Sequence, residues 1–199
     1  VAVRFPSNKF AQQLIKACGC PVAAPSANIS GRPSPTNAQD VWEDMQGKAA
    51  AILDGGNCGI GLEPTVVDTT EPVPVILRPG GITYEMLTEV LGAVDIDPAL
   101  QGDSNYKPKA PGMKYRHYAP KSAMYLLEGE AASCLPQCVT DALNAGKRVG
   151  VLCSKSTAQA LTQNDNASGN LLVASWGESL EELAANLFYL LRDFDRTMP

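Results

Sequence analysis

The chain has 199 residues, 45% of them hydrophobic, and a formal net charge of −5. This length and apolar content suit one or two globular domains and exclude a disordered chain. No apolar run approaches the roughly 20 residues that a membrane-crossing helix needs, and the acidic balance disfavours a broad nucleic-acid surface.

Six cysteines are scattered through the chain, at positions 18, 20, 58, 134, 138 and 153. Cys18 and Cys20 are one residue apart, which is not a CxxC spacing, and the single histidine leaves no zinc-ligand set. We expect no metal-ligating residues and reduced, mostly buried thiols. This cysteine usage, without a membrane segment, predicts a cytoplasmic protein with no membrane partner.

The first part of the chain, residues 1–94, is predicted to be part of an α/β domain. Ser7 is the expected N-cap of the first helix, and Thr36 with Gln39 forms the expected capping box of the second. The second helix should bury a stripe that includes Val41 and Trp42. The predicted helices cover residues 8–18, 37–47 and 82–91, and the predicted strands cover 1–4, 50–53, 65–68 and 74–77.

Residues 95–121 are predicted to be a linker because they are rich in proline and polar residues and have no lasting period. Strands and helices alternate again from 122 to 199, with strands at 123–127, 149–153 and 171–174. The helices are expected at 136–144, 157–163 and 180–195, the last one opened by a Ser179–Glu182 capping box. Such alternation predicts a parallel sheet with right-handed crossovers.

The sequence lacks the GxxxxGK[ST], GxSxG and GxGxxG patterns, which disfavours a P-loop enzyme, a hydrolase elbow and a dinucleotide site. Instead, polar side chains stand at or just past predicted strand ends: Arg4, Ser26, Asn28, Ser34 and Arg78. Ligands of α/β folds usually bind in the crevice beyond those ends. The simpler interpretation is a surface salt bridge for Arg4, solvent for Arg78 and turn capping for the serines and Asn28.

Four segments carry a resemblance to a known family. Residues 25–36, PSANISGRPSPT, resemble the PSANxSGxPSPT signature of the YrdC-like family, the threonylcarbamoyl-AMP synthases. Residues 61–68, GLEPTVVD, look like GxESTVVD, and residues 76–80 read ILRPG. Residues 111–120, PGMKYRHYAP, resemble a segment of the family's long two-domain form.

The resemblance implies a fold and a set of site residues. The fold would be the later half of a YrdC-like α/β domain, with a twisted mixed sheet, joined through residues 95–121 to a smaller Rossmann-like parallel α/β domain at 122–199. The nucleotide ATP would contact Ser26, Asn28, Ser34, Arg78 and either Tyr118 or Tyr115 on a lid. Threonine would contact Arg4, Ala24 and Thr65. Pro64 replaces the family's serine, which removes a backbone donor and a hydroxyl.

The activity implied by the resemblance is that of a nucleotidyltransferase. It joins L-threonine, bicarbonate and ATP, with Mg²⁺, into threonylcarbamoyl-AMP, which a downstream tRNA threonylcarbamoyl transferase machinery consumes. No residue is assigned a catalytic role. We expect the chain to be a fragment that lacks the first half of its first domain and the extreme C-terminus, and to be inactive alone.

Two alternatives stay open at this point. One is a nucleotide- or RNA-binding YrdC-like module without synthase activity, and the other is a carbamoyl-adenylate enzyme of hydrogenase maturation. Direct binding of tRNA is likewise left undecided by the sequence.

Overall fold

The computed structural model describes residues 1–101, 120–163 and 169–197. The chain divides into two compact units, Val1–Tyr118 and Ala119–Pro199. No helix within the three described ranges has both the length and the apolar character that crossing a bilayer requires. The mixed α/β organisation expected from the sequence is confirmed in both units.

The described residues of unit 1 form three α-helices and a small sheet of three strands. The sheet has the order β1-β2-β3, with β1 antiparallel to β2 and β2 parallel to β3. Ile76 on the central strand is buried and so is Val94, which precedes β3. The bounds are α1 Lys9–Cys18, α2 Ala38–Met45, β1 Val66–Asp68, β2 Val75–Arg78, α3 Tyr84–Leu91, β3 Asp95–Ile96 and a 3-10 turn at Pro98–Gln101.

The helix ends in unit 1 follow capping chemistry, but two predicted caps are wrong. Asn8, rather than Ser7, caps α1 by accepting the Ala11 N–H at 3.1 Å. Asn37 likewise caps α2 by accepting the Asp40 N–H at 2.8 Å. In both helices an asparagine directly before the first turn can reach a free backbone donor, which leaves the preceding hydroxyl residue outside.

The predicted apolar stripe of α2 is only partly correct, because Val41 is half-buried but Trp42 is exposed. Trp42 is 53% exposed, whereas Asp40 and Asp44 are almost fully buried on the other side of the helix. Apolar spacing cannot reveal this arrangement, because a carboxylate becomes buried only when specific donors are provided for it. The Asn37 side-chain amide donates to the Asp40 carboxylate at 3.1 Å, and the donors of Asp44 come from the loop of residues 25–36.

Two predicted strands of unit 1 are absent, since residues 1–4 and 50–53 have no regular secondary structure. A short apolar run becomes a strand only where a neighbouring strand supplies backbone partners. Within the described residues of unit 1, the strand pairs are β1 with β2 and β2 with β3. The predicted linker also starts too early, because Asp95–Ile96 pairs with β2.

Unit 2 is organised around two parallel strands that are joined by a helix. β4 and β5 pair in register from Val149 opposite Leu171 to Cys153 opposite Ser175, which confirms the predicted parallel pairing. Val139, Val151 and Cys153 form the buried core, with flanking aliphatic side chains packed against them. The bounds are a 3-10 turn at Gly129–Cys134, α4 Leu135–Asn144, β4 Val149–Cys153, α5 Lys155–Gln163, β5 Leu171–Ser175 and α6 Leu180–Thr197.

The long helix α6 packs against this sheet, and its predicted start is confirmed. Ser179 accepts the Glu182 N–H at 3.1 Å, while Glu182 accepts the Ser179 N–H at 3.1 Å, which completes the capping box. The Glu178 N–H donates to the same carboxylate at 2.7 Å, and this donor and then the Ser179 N–H hold the pKa of Glu182 below its ordinary value. Gly150 on β4 faces the Phe194 ring, where an added Cβ would lie 3.3 Å from the nearest ring carbon.

Two further expectations for the chain are wrong. Residues 123–127 do not form a strand, and Met124, Tyr125 and Leu126 are exposed. The thiols are not mostly buried either, because Cys153 alone is buried and the other five are exposed. The exposed thiols lie at helix ends and in loops, where few side chains pack over them.

Candidate functional site

The signature segment, residues 25–36, is called the motif loop below and is anchored to α2 by Asp44. The Asp44 carboxylate accepts the Ile29 N–H at 3.1 Å and the Arg32 guanidinium at 2.7 Å, and its side chain is 0% exposed. Pro33, which follows Arg32 in the loop, is fully buried. A buried carboxylate with charged and backbone donors fixes the loop more strictly than surface contacts could.

Asn28 closes the turn inside the motif loop. Its side-chain amide donates to the Ile29 and Arg32 carbonyls, each at 3.1 Å. Its carbonyl oxygen is buried and accepts no hydrogen bond from a described residue. The residue therefore has an evident structural role, while one acceptor remains on its buried side.

The start of the motif loop forms one wall of an open groove of about 520 Å³. Ala24 and Ser26 line this wall, and the facing surface comes from α2 and from residues 51–58. Cys58 lines the groove, and although the residue as a whole is exposed, the surrounding wall partly desolvates its thiol and raises the thiol pKa. The Cys58 N–H donates to the Thr36 carbonyl at 2.8 Å, which ties the end of the motif loop to the facing wall.

The later part of the motif loop meets two other segments at Glu63. The Ser34 hydroxyl donates to one carboxylate oxygen of Glu63. The other carboxylate oxygen lies 3.8 Å from the Arg78 guanidinium. The side chains of Arg78 and Glu63 are 14% and 18% exposed, so solvent screens this ion pair only partly. Ser34, Glu63 and Arg78 are called the Glu63 cluster below.

The backbone behind the Glu63 cluster is locked by contacts between residues 63–65 and residues 78–82. Arg78 donates to the Pro64 carbonyl through two nitrogens, at 2.9 and 3.3 Å. The Thr65 hydroxyl donates to the Ile82 carbonyl at 2.6 Å and accepts the Ile82 N–H at 3.1 Å. A Cβ on Gly80 would overlap the backbone of residues 63–65, so glycine permits this close approach.

The predicted site residues fall into separate groups in the structure. Ala24 and Ser26 lie at the groove, whereas Ser34 and Arg78 lie in the Glu63 cluster. Arg4 lies in an exposed segment and is not part of either group. The side chain of Thr65 is bonded to Ile82. Tyr115 and Tyr118, with the rest of the predicted lid, lie outside the described residues.

Sequence reasoning missed the roles of Glu63 and Asp44. Glu63 lies inside a recognised motif, but nothing in its spacing shows that it joins two other segments. Asp44 stands four residues after Asp40 on one helix face, and a pair of carboxylates at that spacing is usually solvated. The chemical hint was Arg32, the one cation of the motif loop, which requires a counter-charge if the loop is packed.

The arrangement can bind anions and hydrogen-bonding ligands, since it places a cation, hydroxyls and an apolar groove in one unit. Among the described residues there is no group of three or more His, Cys, Asp or Glu side chains that could hold a metal ion.

Comparisons with known protein families match two consecutive parts of the chain, which meet near residue 81 and so inside unit 1. A sequence profile described as "Threonylcarbamoyl-AMP synthase, C-terminal domain" matches residues 82–198. A second profile, of the Sua5/YciO/YrdC group and described as "Telomere recombination", matches residues 1–80. Together the two profiles account for nearly the whole chain.

Similar proteins and structures carry the same description. The chain is 45% identical to a threonylcarbamoyl-AMP synthase of Pyrococcus abyssi and 43% identical to one of Bacillus subtilis, and covers 56% and 54% of those proteins. These matches include 99% and 98% of the chain. A crystal structure of P. abyssi Sua5 complexed with L-threonine superposes with a TM-score of 0.84 at 43% identity, over 98% of this chain and 55% of that one. The chain thus spans about half the length of the curated relatives it matches.

Proposed function

Because the chain belongs to the threonylcarbamoyl-AMP synthase family, we propose that it forms part of an enzyme that makes threonylcarbamoyl-AMP. The substrates would be L-threonine, bicarbonate and ATP, and the second product would be pyrophosphate. The Glu63 cluster carries the proposal best, since it brings the signature loop and the ILRPG arginine together at one carboxylate.

The nucleotide is proposed to bind along the motif loop, between the groove and the Glu63 cluster. The groove of about 520 Å³ is within the size range of small-molecule sites, and Ser26 lies in its wall. Arg78 would face the phosphates, because its guanidinium is held in place by Pro64 and is the cation of the cluster.

L-threonine is proposed as the amino-acid substrate, in keeping with the P. abyssi structure that contains it. Ala24, at the groove wall, would contact its side chain, and Arg4 would pair with its carboxylate. The Thr65 hydroxyl is already bonded to Ile82, so any contribution from Thr65 would be made through the backbone position it fixes. Pro64 supplies a carbonyl to Arg78 rather than a donor to the substrate.

Mg²⁺ is proposed to bind together with ATP. This cation is usually held by one or two carboxylates together with substrate phosphates. Glu63 is the carboxylate of the cluster, but its two oxygens already face Ser34 and Arg78. The phosphates of ATP, together with water molecules, would therefore supply most of the ligands of Mg²⁺.

The protein's contribution to the reaction would be positioning and charge neutralisation. The amine of threonine takes up carbon dioxide from bicarbonate, and the resulting carbamate oxygen attacks the α-phosphorus of ATP while pyrophosphate leaves. Both reactants are anions, so arginine side chains and fixed hydrogen-bond donors lower the barrier by offsetting their repulsion. We further propose that Tyr115 or Tyr118 contacts the nucleotide. The product would then pass to a tRNA threonylcarbamoyl transferase machinery in the cytoplasm.

The test is a product assay with the full-length protein. Incubation with ATP, Mg²⁺, L-threonine and labelled bicarbonate should give labelled threonylcarbamoyl-AMP, detected by mass, and L-serine or L-alanine should not replace threonine. If ATP binds but no adenylate forms with any amino acid, the chain belongs to a nucleotide-binding protein without synthase activity.

A further inference from the structure

The hydrogen-bond direction in the Glu63 cluster restricts what Ser34 can do for a ligand. An ionised carboxylate can only accept, so the single proton of the Ser34 hydroxyl is directed to Glu63. The serine oxygen then offers lone pairs, and no proton, to any group on its other side. A ligand group bound by Ser34 must therefore be a donor.

Resting on the proposed function, we propose that Glu63 is a positioning residue that makes Ser34 a hydrogen-bond acceptor for the ribose hydroxyls or the adenine amine of ATP. The phosphates carry no donor at neutral pH, so they cannot be the partner of this serine. The charge of Glu63 is consistent with this, because the carboxylate oxygen that contacts Ser34 disfavours a phosphate placed on that side, away from Arg78.

The same carboxylate separates the two ends of the nucleotide. Arg78, on the other side of Glu63, is the group that attracts phosphate, and its guanidinium is fixed by the Pro64 carbonyl. Glu63 can hold this arrangement because its own backbone is fixed: its carbonyl accepts the Gly81 N–H at 3.2 Å. Base or ribose would thus lie beside Ser34, with the phosphates beside Arg78.

The experiment measures ATP binding by calorimetry in the full-length protein and in the variants Ser34→Ala, Glu63→Ala, Glu63→Gln and the Ser34→Ala/Glu63→Ala pair. Each alanine variant should weaken binding about five- to tenfold, the scale of one hydrogen bond, and the pair should be no weaker than the worse single variant. Glu63→Gln keeps an oxygen that accepts the serine proton and should stay within about threefold of wild type. Glu71→Ala, at an exposed carboxylate, is the control.

Three analogues identify the donor: 2′-deoxy-ATP, 3′-deoxy-ATP and purine riboside triphosphate. At least one analogue should bind wild type about five- to tenfold more weakly than ATP does. That difference should disappear in Ser34→Ala. A merely structural role of Glu63 would not make the loss of one ligand group depend on Ser34. The inference is overturned if the effects of the two alanine variants multiply, or if wild type binds all three analogues as tightly as ATP. Failure of wild type to bind ATP at all would overturn the proposed function together with this inference.

Discussion

The two units of the chain are stabilised by different kinds of interior. Within the described residues, the fully buried side chains of unit 1 are Asp40, Asp44 and Pro33. Ile76 and Val94 of unit 1 are buried as well, so its interior is mixed. Unit 2 instead has a mainly apolar core of Val139, Val151 and Cys153, with Arg192 as a buried charged residue. Polar interiors require particular donors at particular distances, whereas apolar interiors require mainly volume and shape.

This difference explains why the candidate site is assigned to unit 1. Asp44 holds the motif loop through an arginine and a backbone N–H, and Glu63 holds a serine of the same loop. Directional bonds of this kind fix the side chains that surround them, which is what a binding site needs before a ligand arrives. In unit 2 the pairing of β4 with β5 and the apolar core beside it fix the backbone.

The largest expected effect comes from removing the buried carboxylate of unit 1. Asp44→Ala leaves the Arg32 guanidinium and the Ile29 N–H without their acceptor and should lower the free energy of unfolding of unit 1 by about 3 kcal/mol. Asp44→Asn retains an oxygen of the same size and should lose less. Hydrogen exchange in residues 25–45 measures the change.

The control for Asp44 is Glu71→Ala, which removes an exposed carboxylate and should stay within about 0.5 kcal/mol of wild type. Equal stability of Asp44→Ala and Glu71→Ala would show that the polar interior of unit 1 contributes nothing, and the contrast between the units would fail.

A somewhat smaller effect is expected in unit 2 from Val151→Ala. The side chain is 6% exposed in the core, so the two lost methyl groups and the cavity should cost about 2 kcal/mol. Val90→Ala makes the same chemical change at a residue that is 81% exposed and should cost almost nothing. Urea unfolding followed by hydrogen exchange measures both, in residues 135–175 for Val151→Ala and in α3 for Val90→Ala. A cost below about 0.5 kcal/mol for Val151→Ala would contradict an apolar core.

Much of unit 2 could be predicted from the sequence because its signals are periodic and local. Strand β4 occurs at the predicted residues, and the Ser179–Glu182 capping box forms as expected. The strand predicted at residues 123–127 is absent, because an apolar run does not show whether a partner strand lies beside it. Strand pairing is decided by distant parts of the chain.

The sequence predicted several residues of the candidate site but not the contacts between them. The signature loop and the ILRPG motif pointed to Ser34 and Arg78. No spacing rule could show that Glu63 contacts both of them, since Glu63 lies 29 residues after Ser34 in the chain. The burial of Asp44 was hidden for the same reason, since its partners lie 12 and 15 residues earlier. Long-range polar contacts leave no period in a sequence.

The most direct test of the account is the alkylation of Cys58 by iodoacetamide in the full-length protein, with and without ATP and Mg²⁺. Cys58 lies at the groove wall and its raised pKa should move its reaction toward higher pH, because the thiolate is the reactive form. Peptide mapping at one fixed pH should show saturating ATP slowing the Cys58 reaction about tenfold while exposed Cys138 of unit 2 keeps its rate. An unchanged Cys58 rate under saturating ATP would contradict a nucleotide site along the motif loop.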